Sequence, residues 1–119
     1  SMRYPFKIQQ WINQSYLNQS NTLVLKLDNW IIGHLSIRMV DQTKSAHIFH
    51  LIIDPDQQQK GYGEKLVNFA ENFILKNNFK TVTLNVLKKN QIAIKFYEKI
   101  GYTVIEERKS KKIKMLKNL

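Results

Sequence analysis

Two glycines one residue apart, Gly61 and Gly63, follow an apolar run and a proline and precede an amphipathic stretch, in the segment His47 to Ala70, HIFHLIIDPDQQQKGYGEKLVNFA. The chemistry this order offers is anion binding by the main chain. The first turn of a helix presents N–H groups with no partner inside the helix, together with roughly half a positive charge from the aligned peptide dipoles. Glycine has no Cβ, so a diphosphate can approach the backbone closely and the loop can take φ values closed to other residues. Spacing separates the owners of such a pattern. A dinucleotide-binding turn needs a third glycine three residues after the second and an acidic residue about 20 further on; here Leu66 stands at the first place and the downstream strand offers Asn85. A nucleotide P-loop needs Gly, four residues, Gly, Lys and then Ser or Thr, which no segment supplies. By themselves the two glycines read equally well as a phosphate cradle or as a turn and helix cap.

The elements that must position this loop follow from periodicity. Pro5 suits a first helical turn, and Ile8, Trp11, Ile12, Ser15 and Tyr16 fall at helical spacing, so residues 5–18 are expected as an amphipathic helix, broken at Asn18 to Asn21. Thr22 to Leu27 alternates apolar and polar, Asp28-Asn29 is turn chemistry, and Trp30 to Val40 is rich in β-branched and apolar residues, which predicts an antiparallel hairpin. After the polar turn Asp41 to Ser45, His47 to Ile53 reads as a third strand of the meander. Pro55 and the polar residues from Asp54 to Lys60 predict a stretch without regular structure, and from Tyr62 the residues Leu66, Val67, Ala70, Phe73 and Ile74 recur with a helical period. Asn77-Asn78 suits a left-handed helix end, and Thr81 to Leu87 reads as a strand. Asn90 is a good N-cap for a short helix carrying Ile92, Ala93, Phe96, Tyr97 and Ile100, closed by Gly101. Tyr102 to Glu106 and Lys112 to Leu116 form a terminal hairpin. A meander followed by a βαβ unit gives the α/β class: a mixed, mostly antiparallel central sheet flanked by helices.

At 119 residues, 43% apolar and 24% charged, the chain has the composition of one globular domain, expected over residues 2–119 with Ser1 as an expression remnant. No apolar run approaches the roughly 18 to 20 residues that span a bilayer, and no signal peptide opens the chain, so a cytoplasmic setting without membrane partners is expected. The absence of cysteine removes disulfides, thiolate nucleophiles and cysteine zinc sites together, and no metal is expected. Lys and Arg number 19 against 9 Asp and Glu, a net charge of +10. The excess is concentrated from Lys88 onward, where ten basic residues face three acids, and such a half attracts polyanions or a phosphorylated cofactor.

Ile53-x-Pro55-x-x-Gln58-x-x-Gly61-x-Gly63 resembles the acyl-CoA binding motif of the GNAT (Gcn5-related) N-acetyltransferases, Gln/Arg-x-x-Gly-x-Gly/Ala. Downstream, Asn90-x-x-Ala93-x-x-Phe96-Tyr97-x-x-x-Gly101-Tyr102 resembles the second signature of that family, on the helix after the fifth strand. The resemblance covers Ile48 to Leu116. It implies the acyl-CoA N-acyltransferase fold, acetyl-CoA as acyl donor, and direct transfer to an amine acceptor, small molecule or protein, in a ternary complex with no covalent enzyme intermediate. It also implies that the main chain of Leu51, Ile52 and Ile53 pairs with the pantetheine arm and polarises the thioester oxygen. Gln58 opens the motif, and the N–H groups of Gln59, Lys60, Gly61, Tyr62, Gly63 and Glu64 would hold the pyrophosphate. Asn90 would bond the cofactor as well as cap its helix.

The same resemblance implies that Tyr97 protonates the leaving thiolate, since a phenol of reference pKa about 10 lies near or above a thiol at about 8.5; the alternative is a packed aromatic beside Ala93, Phe96 and Ile100. Family members usually carry a further strand and often a second helix before the first hairpin, where this chain has room for one helix. The branch that acetylates ribosomal-protein N-termini places a glutamate five residues before the equivalent of Asn90; Asn85 stands there and cannot act as a base. Glucosamine-phosphate branches carry acidic residues where this chain has Phe49 and His50. For the base, His50 ranks ahead of His47 and His34, being next to the expected thioester with a reference pKa of about 6.5. An α-amino group at about 7.7 to 8.0 is appreciably neutral at pH 7, whereas a lysine at about 10.4 is not, so without a carboxylate at position 85 a low-pKa amine is the easier acceptor.

Two other functions fit parts of the chain. Asn85 and the short front end suit a CoA-binding regulatory module with reduced catalysis. The Arg108 to Lys117 cluster suits nucleic acid but lacks the interleaved aromatics of a base-stacking surface; a basic tail beside a cofactor with several phosphates is the simpler account, and an acidic acceptor is a further expectation from the same charge. The expected assembly is a monomer or homodimer.

Overall fold

Asp28 takes φ +55 at the tip of the first hairpin, a conformation that Asp and Asn adopt more readily than other side chains, and it turns β2 (Asn18–Leu27) into β3 (Trp30–Val40). A second turn ending at Lys44, φ +53, returns the chain as β4 (Ser45–Ile53). The computed structural model describes residues 6–15, 18–107 and 111–119. Its remaining elements are β1 (Phe6–Ser15), α1 (Tyr62–Lys76), β5 (Thr81–Leu87), α2 (Gln91–Lys99), β6 (Thr103–Glu107) and β7 (Lys112–Asn118). The seven strands among the described residues lie in one sheet in the order β1-β2-β3-β4-β5-β7-β6. Every neighbouring pair is antiparallel except β4 with β5, the pair joined through α1. The α/β class and the mixed, mostly antiparallel sheet are therefore as the sequence implies.

Three local expectations are corrected. Phe6–Ser15, expected within a helix, is a strand that pairs residue for residue with β2 from Phe6↔Leu27 to Ser15↔Asn18. Its helical spacing coexists with a start, Phe-Lys-Ile-Gln, that alternates, and the otherwise open edge of β2 decides between the two by supplying a full ladder of hydrogen bonds. Pro5 and Tyr16, which helped to suggest the helix, lie outside the described residues. Asn18 to Asn21, expected as a break, opens β2 because the same ladder runs through it. Pro55–Gln57 forms a single 3-10 turn within the stretch expected to be irregular, with the Asp54 carboxylate accepting from the Asp56 N–H at 3.1 Å.

The apolar stripe of α1 is fully used: Leu66, Val67, Ala70 and Ile74 are each 0% exposed. They pack on the sheet face that carries Leu23 and Leu25, Leu35 and Ile37, Ala46 and Ile48, Val82 and Leu84, and Met115. Ala93, Phe96, Tyr97 and Ile100 of α2 and its C-terminal turn join the same cluster, so both helices cover one face. Strand alternation sends Val24, His34, Ser36, Arg38, His47, Phe49, Thr83, Asn85, Lys112 and Lys114 to the other face. Among the described residues no helix lies there.

Candidate functional site

The two halves of the sheet separate where β4 meets β5. These strands pair only at Ser45↔Thr81, Ala46↔Val82 and His47↔Thr83. Beyond that rung β5 follows β7 as far as Leu87↔Lys112, while β4 follows β3 as far as Ile53↔Gly33, and a fork opens between them. His47 Nδ1 and Thr83 Oγ1, 2.9 Å apart, bridge the strands at its apex. From Ile48 to Ile53 the β5-facing edge of β4 has no strand partner among the described residues, leaving main-chain groups able to pair with an extended ligand. On its β3 side β4 carries one extra residue between Phe49 and Ile52, a bulge at which His50 takes φ +53. Bulges re-aim side chains and amides, and a left-handed histidine is a strained conformation of the kind found at functional sites.

The loop after β4 is pinned to the strand end. Asp54 N–H donates to Ile32 C=O at 2.7 Å, and Gln58 Nε2 donates to Ile53 C=O at 3.1 Å. Gln59 at φ +63 and Gly61 at φ +81 then turn the chain into α1. Gly61 is the N-cap, no side chain closes that end, and the helical ladder begins with Lys65 N–H donating to Gly61 C=O at 3.1 Å. The amides ahead of Lys65 thus stand at the positive end of α1. The two glycines are not equivalent. Around Gly61 the space a Cβ would take is open, so its backbone conformation is what calls for glycine; at Gly63 a Cβ would touch Phe96 Cζ at 3.4 Å, an ordinary packing distance, so this position faces α2 closely without strictly requiring glycine.

Between these parts runs a groove of about 640 Å³. Leu51 and Ile53 form one wall, and Gln57 to Gln59 with Gly61 to Glu64 form its polar end. The opposite wall is α2 with its cap: Asn90, Ile92, Ala93, Phe96, Lys99 and Ile100. Asn90 Oδ1 accepts from Ala93 N–H at 3.2 Å, which orients its carboxamide at the groove rim. An apolar trough with helix-end amides at one end and a free strand edge along its side suits a ligand with an anionic head and an amide-bearing arm.

Behind the α2 wall, Tyr97 meets Phe96 edge to face at 5.1 Å and Tyr102 at 5.7 Å. Burial pushes the Tyr97 hydroxyl up to about 12. Tyr102 is held by a second network that the sequence did not disclose. Its hydroxyl donates to Glu71 Oε2 at 2.8 Å, and Lys117 Nζ donates to Glu71 Oε1 at 3.0 Å and to Ile100 C=O at 2.8 Å. Burial, then the Glu71 carboxylate, raises the Tyr102 pKa far above that of a free tyrosine. This network ties α1, the end of α2 and β7 together and fixes the platform on which Tyr97 rests.

Of the residues expected at the site, Leu51, Ile53, Gln58, Gln59, Gly61, Tyr62, Gly63, Glu64 and Asn90 converge on the groove. Ile52 is 53% exposed and off its wall, as alternation along β4 requires. Lys60 is also off the wall, its Nζ donating to Gln57 Oε1 at 3.2 Å. Tyr97 stands behind Phe96, and His50 stands exposed at the bulge. Phe96, Ile92 and Lys99 line the groove without having been assigned to it; for Ile92, 85% exposure of an apolar residue beside the Asn90 cap is the structural sign, and sequence carries none. Residues 108–110 of the basic cluster lie outside the described residues. Among the described residues no group of three or more His, Asp or Glu could hold a metal, and no helix is long and apolar enough to cross a membrane.

The model of the Acetyltransferase (GNAT) family matches residues 1–102. A ribosomal protein bS18 alanine N-acetyltransferase of Haemophilus ducreyi is 30% identical over 116 residues, covering 88% of this chain and 78% of the relative. An S-(2-succino)cysteine N-acetyltransferase of Bacillus subtilis is 30% identical over 93 residues, covering 72% of this chain; the match spans 56% of the relative's length. Among solved structures, PaiA N-acetyltransferase from Thermoplasma acidophilum in complex with coenzyme A superposes with a TM-score of 0.76 at 24% identity, over 82% of this chain and 60% of that one. A putative acyl-CoA N-acyltransferase from Klebsiella pneumoniae superposes with a TM-score of 0.85 at 16% identity, over 98% and 99% of the two chains. These structures share the fold.

Proposed function

Because the chain belongs to the GNAT family of acetyltransferases, we propose that it transfers an acetyl group from acetyl-CoA directly to an amine within a ternary complex. The observation that carries this reading is the meeting, in one groove, of a helix start opened by Gly61 and a β4 edge that has no strand partner among the described residues. Bound acetyl-CoA supplies the activated thioester. The amides from Gln59 to Glu64 hold its diphosphate, with the Lys99 ammonium at the rim as counter-charge. The main chain of Leu51 to Ile53 pairs with its extended arm, and Asn90 holds that arm from the opposite wall.

His50 takes a proton from the amine, directly or through water, from its exposed place at the bulge. Tyr97 remains protonated across the working pH range. A phenol at about 12 does not hand its proton outright to a thiolate whose acid lies at about 8.5, so its part is to donate a hydrogen bond to the leaving sulfur, which requires Phe96 to yield. The acceptor is an α-amine. Its pKa suits a site with Asn85 where a carboxylate would assist, and the two relatives above are named for acetylation of an alanine and of S-(2-succino)cysteine. The cytoplasm is the setting that supplies the donor.

Calorimetry with acetyl-CoA and thiol release with a panel of α-amines test the proposal. Micromolar binding lost in Gly61→Glu, together with turnover, is the expected result. Absence of CoA binding overturns it; binding with no turnover on any amine assigns the chain to a regulatory CoA-binding role.

A further inference from the structure

If the groove holds the acyl donor on the helix-covered face, the acceptor reaches the fork from the opposite face, and that face carries a charge of one dominant sign. Lys112 stands across from Leu87 and Lys114 across from Asn85, both on the bare side. At the mouth of the fork, Lys88 N–H donates to Lys111 C=O at 2.7 Å, which brings the turn after β5 against the start of β7 and sets Lys88, Lys89, Lys111 and Lys112 together, all exposed. Among the described residues none of these four is in an ion pair. Toward the apex, the Arg38 guanidinium lies 5.2 Å over the Phe49 ring, and His47 stacks on Phe49 at 6.4 Å. Among the described residues, Glu106 is the carboxylate that strand register places against this row, across from Lys114.

We propose that this bare face is the acceptor platform and that it selects an acidic peptide segment beginning with a free α-amino group. The inference rests on the acetyltransferase reading for its direction of approach; the charge pattern is independent of it. The cations are spread from fork apex to mouth, and Lys112 and Lys114 alone are about 7 Å apart along β7, a layout that an extended chain with several carboxylates matches and a single small anion does not. Nucleic acid would want open aromatic faces to stack on; Phe49 on this face is half-buried between Arg38 and His47, and Trp11, at the register position on this face across from Thr22, belongs to the edge strand β1, remote from the β7 lysines. Exposed cations act mainly by steering and by additive, salt-screened attraction.

The test uses the CoA-loaded full chain and C-terminally labelled pentapeptides with a free N-terminal alanine followed by four acidic, four neutral amide or four lysine residues, read by fluorescence anisotropy. The acidic peptide is expected to bind about tenfold or more tighter than the neutral one at about 50 mM salt, with the gap closing by about 0.5 M. Lys112→Gln with Lys114→Gln should erase the preference while CoA affinity and the melting curve stay unchanged. Equal binding of acidic and neutral peptides, a preference indifferent to salt or to the double variant, or an oligonucleotide bound more tightly than the acidic peptide each overturns the proposal. Loss of CoA binding would instead strike the acetyltransferase reading, and the peptide preference measured without CoA would still decide this one.

Discussion

The two faces of the sheet are built on different principles. On the covered face the working groups are main-chain amides and a strand edge, positioned by helix geometry, two glycines and the parting of β4 from β5; side chains mostly supply apolar walls. On the bare face the groups proposed to meet the acceptor are side chains drawn from β3, β4, β5 and β7, at positions where strand alternation merely allows them. In the proposed reaction, backbone recognition would serve a donor that is the same in every turnover, whereas side-chain recognition of the acceptor can be rewritten without disturbing the fold. Under the proposed function, the difference teaches that the donor site is generic and the acceptor site particular.

The largest effect expected is on the covered face. Gly61→Glu places a carboxylate at the helix start and forces a side chain into φ +81, and calorimetry should show acetyl-CoA affinity falling about a hundredfold or more; the acidic-peptide preference, by contrast, should survive, and its loss would break the separation of the faces. Glu71→Ala removes the acceptor shared by Tyr102 and Lys117 and should lower stability by about 1–3 kcal/mol in urea unfolding.

Tyr97→Phe should lower kcat about tenfold with KM for acetyl-CoA unchanged, while a purely packing role leaves kcat intact. The sign of its pH dependence follows from burial: the raised pKa keeps the hydroxyl protonated below about 12, so kcat should rise with deprotonation of the acceptor amine and show no falling limb from Tyr97 up to about pH 10. The smallest effect is at the fork apex, where Thr83→Val removes the partner of His47 Nδ1 and should cost about 1 kcal/mol of stability. It should also raise the KM for the acceptor more than that for acetyl-CoA, and the reverse order would mean that the apex serves the covered face.

How much of this was legible beforehand depended on whether the signal was local. The Asn90 cap, the Gly101 end at φ +106 and the left-handed Asn78 are each decided within a turn of chain, and each lies where residue chemistry placed it. Phe6–Ser15 was misread because its spacing supports two structures and only the edge of β2, a distant partner, chooses between them. The Glu71, Tyr102 and Lys117 network was invisible because its members are far apart in sequence and each is, taken singly, an ordinary surface type.

The order of glycines, caps and apolar stripes determined by itself that this chain makes a βαβ unit whose helix opens on a glycine, because those features act through the backbone of neighbouring residues. Tertiary structure alone decided that β5 abandons β4 after His47↔Thr83 to follow β7, and so opened the fork and, among the described residues, left one sheet face without a covering helix and with a basic row along β7. No spacing rule encodes such a choice, since it is settled by which of two competing strand edges completes its hydrogen-bond ladder.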